Sequence, residues 1–89
     1  MRVGIIGIAV YETDNVEEVN TLISENSSLV IGRMGLPLRE QNMNLISLIV
    51  KGDTDGIGRL AGRIGSLSGV EIKSMLMKEH KDLSGAARF

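Results

Sequence analysis

An α+β sandwich, with one four-stranded antiparallel sheet carrying two helices on a single face, is the fold that the sequence predicts. Three observations lead to it. Segment types follow the order strand, helix, strand, strand, helix, strand. The two helical segments repeat one pattern at a constant offset of 41 residues: Thr13-Asp14-x-Val16-x-x-Val19 with Ile23, then Thr54-Asp55-x-Ile57-x-x-Leu60 with Ile64. The first and third strand segments carry large aliphatic side chains on both parities, as strands covered on both faces do. Two strand–helix–strand units joined by a hairpin form the split βαβ, ferredoxin-like (βαββαβ) arrangement, whose first and third strands are central.

Each element has its own warrant. Val3-Gly4-Ile5-Ile6-Gly7-Ile8-Ala9-Val10 is followed by Tyr11-Glu12-Thr13-Asp14 with no small-residue cleavage site, so it reads as a buried strand and not as a signal segment. Asp14 is placed to cap the next helix, Glu17 stands three residues on, and Glu18 also suits the positive helix end. Val16, Val19, Leu22 and Ile23 recur at helical spacing until Glu25-Asn26-Ser27-Ser28 ends the segment. Leu29-Val30-Ile31 reads as a short second strand. The Gly- and Pro-bearing Gly32-Arg33-Met34-Gly35-Leu36-Pro37 and the polar Arg39-Glu40-Gln41-Asn42 then read as a long hairpin connection.

Asn44 to Lys51 is the third strand, with Ile46, Leu48 and Val50 on one face and Leu45 and Ile49 on the other. Gly52-Asp53-Thr54-Asp55-Gly56 forms a turn and cap, with Asp53 or Thr54 as the capping residue. The second helix stripes Ile57, Leu60, Ala61, Ile64 and Leu67, and Ser68-Gly69 closes it. Val70 to Lys78 alternates as a fourth strand, and residues 79–89 read as a C-terminal tail or short helix of the same single domain, 1–89.

The composition points to self-association. The chain has 89 residues, one Phe, one Tyr and no Trp, so its core is aliphatic. It has no Cys, and a single core of this size is marginal without a staple or a partner. Two helices cover one face of a sheet, and a second copy of the chain is the expected cover for the other, giving a homo-oligomer, dimer or tetramer. A net charge of −1 lacks the basic footprint of a nucleic-acid partner. The longest apolar run falls short of the roughly 18 residues of a membrane span. A cytoplasmic chain with no nucleic-acid or membrane partner is expected.

Chemistry-bearing motifs are sparse. The absence of Cys excludes thiolate metal sites and thiol nucleophiles. Gly4 and Gly7 lie inside a strand without G-x-G-x-x-G, which excludes the dinucleotide fingerprint. Asp53-Thr54-Asp55-Gly56 opens like a calcium loop, but Ile57 and Ile64 stand where that loop needs oxygen ligands. His80 is the only His and reads as a surface residue near a chain end. No arrangement supports nucleophilic catalysis. The chain is therefore read as no enzyme, with no catalytic residue, metal or cofactor. The second helix carries Gly56, Gly58, Gly62 and Gly65, each costing about 1 kcal/mol against Ala. That flank reads either as close packing or as an approach surface. A small-molecule effector is expected at a subunit boundary lined by Gly52, Asp53, Thr54, Asp55 and Gly58, with Arg33 and Arg39 of a neighbouring hairpin as charge partners. Both helix starts are expected at the same edge of the sheet.

With those motifs in place, the chain resembles the small stand-alone family of iron-only hydrogenase system regulators. The resemblance lies in Arg33-Met34-Gly35-Leu36-Pro37, Gln41-Asn42-x-Asn44-Leu45-Ile46-Ser47-Leu48-Ile49-Val50, Gly52-Asp53-Thr54-Asp55 and Leu60-Ala61-Gly62-Arg63-Ile64-Gly65, and spans roughly Val3 to Lys78. More distantly the fold is similar to ACT domains and to the ligand domain of nickel-responsive repressors. ACT domains bind amino acids at subunit interfaces through the loop after the first strand, here Tyr11-Glu12-Thr13-Asp14-Asn15, which lacks the usual Gly after the acid. With one His and no Cys, nickel binding does not carry over. The resemblance implies a non-catalytic regulatory or ligand-sensing oligomeric module. The alternative is an accessory protein, metallochaperone-like or enzymatic, in metal-cofactor maturation.

Overall fold

Alternating burial along β1 (Arg2–Val10) sorts its side chains cleanly, with Ile6, Ile8 and Val10 fully buried and Val3 and Ile5 exposed. The computed structural model describes residues 1–11 and 15–78. In it β1 is followed by α1 (Val16–Glu25), β2 (Val30–Leu38), β3 (Met43–Gly52), α2 (Thr54–Gly65) and β4 (Val70–Leu76). The four strands form one sheet in the order β2-β3-β1-β4, with every neighbouring pair antiparallel. This is the expected ferredoxin-like order, with β1 and β3 in the middle.

One face of the sheet meets the helices. Ile6, Ile8 and Val10 of β1 and Ile46, Leu48 and Val50 of β3 pack against Val19 and Ile23 of α1 and Ile57, Leu60 and Ile64 of α2. The helical residues are those of the internal repeat: Val19 and Ile23 correspond to Leu60 and Ile64 at the offset of 41. Burial of such aliphatic side chains contributes about 1.5–3 kcal/mol each, and among the described residues the buried core is made of Ile, Leu and Val.

Several boundaries differ from the sequence reading, each for a physical reason. The second strand extends from Val30 to Leu38, so the stretch expected as a long connection is itself paired to β3, from Gly32↔Ile49 to Leu38↔Met43. Gly and Pro signal a loop in general, but β2 is an edge strand, where both are tolerated. A register irregularity between Val30 and Gly32 absorbs the change. The true turn is short. Asn42, at φ 56, donates its N–H to Arg39 O at 3.1 Å, in the left-handed conformation that Asn accepts more readily than most residues.

Helix α1 begins at N-cap Asn15, which makes no side-chain cap bond. Its Nδ2 instead donates to Ser68 O, tying the start of α1 to the α2–β4 link. Asp14, expected as the cap, lies outside the described residues, as do Thr13, His80 and the rest of 79–89. The two helix starts do not share an edge. Because β1 and β3 are antiparallel, Val10 pairs with Asn44 and Arg2 with Gly52, so α1 leaves one end of the sheet and α2 leaves the other.

Candidate functional site: the open sheet face and the start of helix α2

Asp53 is the cap of α2, its Oδ1 accepting from the Gly56 N–H at 2.7 Å. Thr54 and Asp55 are exposed beside it, and their first-turn N–H groups have no intrahelical acceptor. Gly52 is buried, and a Cβ there would stand 2.5 Å from Leu29 Cδ2. Gly58 is exposed, with nothing within 4 Å of a Cβ, and Gly62 is equally open. Gly65, by contrast, would press a Cβ to 2.6 Å from Ile72 Cγ2. The glycine flank thus divides into a packed end and a bare, solvent-facing stretch.

The structure brings Gly52, Asp53, Thr54, Asp55 and Gly58 together at one end of the sheet. It does not bring Arg33 or Arg39 of the same chain to them. Arg33 lies on β2 and donates to Asn20 Oδ1 of α1 at 2.8 Å. Arg39 sits in the β2–β3 turn, at the end where β3 begins, opposite the start of α2.

The face of the sheet turned away from the helices is the larger feature. Its cross-strand rows follow from the register. Leu36, Leu45, Ala9 and Glu71 form one row; Met34, Ser47, Gly7 and Lys73 the next; Gly32, Ile49, Ile5 and Met75 the third. The large apolar members are well exposed: Met34 73%, Leu36 55%, Met75 54%, Ile49 45%, Ile5 41% and Leu45 40%. Leu48, central in the chain's third strand, belongs to the helix-covered face and is fully buried. It is Ile49, and not Leu48, that reports on the open face.

This face is uneven. Tyr11, Leu45, Glu71 and Lys73 surround a hollow floored by Gly7 and Ala9. At its rim the Tyr11 hydroxyl donates to Glu71 Oε1 at 3.1 Å. That hydrogen bond, and then the carboxylate's charge, raise the Tyr11 pKa above its ordinary 10.0. Sequence reading missed the Tyr11–Glu71 pair because nothing in their spacing joins them; only the register does. A second groove runs between α1 and β2, lined by Val16, Asn20, Arg33, Gly35 and Pro37. Among the described residues no group of three or more His, Cys, Asp or Glu stands close enough to hold a metal ion, and no helix is long and apolar enough to cross a membrane.

The uncharacterized protein TM1266 from Thermotoga maritima matches with a TM-score of 0.82 and 38% identity, over 86% of this chain and 98% of that one. The C-terminal domain of the MgtC protein from Mycobacterium tuberculosis matches at a TM-score of 0.64 and 13% identity, over 86% and 88%. A formyltetrahydrofolate deformylase from Pseudomonas putida KT2440 matches at 0.58 and 15%, over 82% of this chain and 28% of the enzyme. The last two share the fold alone. No curated protein sequence matches the chain. The family profile described as "TM1266-like: Iron-only hydrogenase system regulator, putative" matches residues 2–74. With most of its length matched in this way, the chain belongs to the TM1266-like family of iron-only hydrogenase system regulators.

Proposed function

We propose that this chain is a non-catalytic regulatory module of the iron-only hydrogenase system that works as a homo-oligomer and responds to a small-molecule effector. The observation that carries the reading is the open sheet face. Val3, Ile5, Met34, Leu36, Leu45, Ile49, Met75 and Met77 are all between 40% and 73% exposed. Together they present apolar area on the order of the 800 Å² per partner of a standard interface. Monomeric proteins seldom leave more than a few hundred Å² of contiguous apolar surface uncovered. The effector half of the reading rests on the start of α2. The free first-turn N–H groups of Thr54 and Asp55 and the bare backbone at Gly58 suit an acidic small molecule, with Arg33 and Arg39 supplied by another copy.

Calorimetric titration of metal-stripped protein tests this reading, run with amino acids, nucleotides and divalent metals in parallel with light scattering. The expected result is an oligomer that binds one of the organic anions, with binding lost in Arg39→Ala. A monomer at micromolar concentration, or an oligomer that takes up only a metal, overturns it.

A further inference from the structure

Gly7 on the open face has no reason within its own chain to be glycine, whereas Gly32 stands where the β2–β3 register shifts, a place where glycine also serves the strand's own irregularity. Gly7 and Gly32 both lack a positive φ. A Cβ on Gly7 would meet only Lys73 O at 3.8 Å, and one on Gly32 would meet Ile49 at 3.7 Å, both ordinary contacts. Gly4 differs, since its Cβ would fall 2.6 Å from Met75 O. Glycine weakens a strand interior, and where neither packing nor a bulge requires it, as at Gly7, it suits the close approach of something outside the chain.

The geometry points to a second copy of this chain, packed sheet to sheet about a two-fold axis that lies in the interface plane and runs along β3. The proposal rests on the reading of the open face as a self-association surface and fixes its register. β2 and β1 flank β3 at equal spacing of about 4.8 Å, so this rotation lays the β2 column of one copy over the β1 column of the other, row for row. The rows then match large against small. Met34 faces Gly7 of the other copy, Leu36 faces Ala9, and Ile5 faces Gly32. Along the axis Ser47 meets its own equivalent. β4 falls outside the overlap, so Glu71 and Lys73 stay in water, where charge costs least, and Met75 and Met77 are not covered by this contact.

The rival two-fold, across the strands through the Met34–Ser47–Gly7–Lys73 row, matches like against like. It sets Met34 against Met34, Gly7 against Gly7 and Lys73 against Lys73. One consequence concerns the effector. In the dimer along β3 both β2–β3 turns lie at one end and both α2 starts at the other. A site joining Asp53 to the Arg39 of another copy therefore needs a second contact between dimers.

The chain has no Cys, so single introduced thiols report the register directly. Facing sheets stand about 10 Å apart, beyond the Cα separation of about 7 Å that a disulfide spans, and a short bismaleimide is the suitable linker. Ser47→Cys should cross-link to a covalent dimer, while Lys73→Cys should not. In sedimentation, Gly7→Met should weaken the dimer by about 100-fold, because the two-fold duplicates each clash, and Gly7→Met combined with Met34→Gly should restore it. Wild-type protein that is monomeric brings down the self-association reading itself. A wild-type dimer in which Lys73→Cys cross-links, Ser47→Cys does not, or Gly7→Met leaves assembly intact overturns this register alone. So does failure of Met34→Gly to rescue a folded Gly7→Met. Should Gly7→Met fail to fold by circular dichroism, the two thiol variants decide.

Discussion

The hydroxyl of Tyr11 donates to Glu71 Oε1 at 3.1 Å, joining the residue after β1 to β4 across 60 positions of sequence. Ionising the phenol destroys this bond and sets two negative charges side by side, which is why the Tyr11 pKa lies above 10.0. The stabilisation is complete below pH 10 and is lost as pH rises through the raised folded value. Tyr11 is the only tyrosine, so ultraviolet absorbance titration reads it without interference. Glu71→Gln is expected to bring the transition back down toward 10. A midpoint that does not move with this substitution means that the pair does not persist in solution.

Asp53 closes the first turn of α2 by accepting from Gly56 N–H at 2.7 Å. Asp53→Ala should lower stability to urea by about 0.5–2 kcal/mol, and Asp53→Asn, which keeps an acceptor, by much less. Equal losses in the two variants would show that charge and not the cap bond matters there.

Leu48 and Ile49 are neighbours in sequence on opposite faces of β3. Leu48→Ala should destabilise the fold by about 2–5 kcal/mol, as deletions from a packed core do. Ile49→Asp should leave the fold standing while shifting the mass measured by light scattering toward the 9.6 kDa monomer. An oligomer indifferent to Asp at Ile49 would place the interface elsewhere.

Gly4 and Gly7 provide a matched pair on β1. A methyl at Gly4 collides with Met75 O and Leu76 Cδ2, at 2.6 and 2.7 Å, so Gly4→Ala should cost about 1–3 kcal/mol in thermal or urea unfolding. Gly7→Ala has room and should leave the isolated fold within about 0.5 kcal/mol of wild type. Comparable losses at both sites would mean that Gly7 is required by the chain itself.

The order of elements, the pairing of two βαβ halves and the core residues of both helices were legible in the sequence. Aliphatic periodicity is a local property, and the repeat Val19/Ile23 and Leu60/Ile64 carries it twice. A cap at Asp53 or Thr54 was legible for the same reason, since a cap and its N–H lie close in sequence, and the structure assigns it to Asp53. The sequence also showed that β1 and β3 are apolar on both sides, but not which side the helices cover; that depends on where α1 and α2 dock, which placed Leu48 inside and Ile49 outside. The extent of β2 through Pro37 was hidden because tolerance of Gly and Pro depends on edge position, a property of the sheet and not of the segment. The rows that set Met34, Ser47, Gly7 and Lys73 side by side, and the separation of the two helix starts, follow from antiparallel register between strands far apart in the chain. Hydrogen bonding across the sheet fixes that register, and only the tertiary structure decides it.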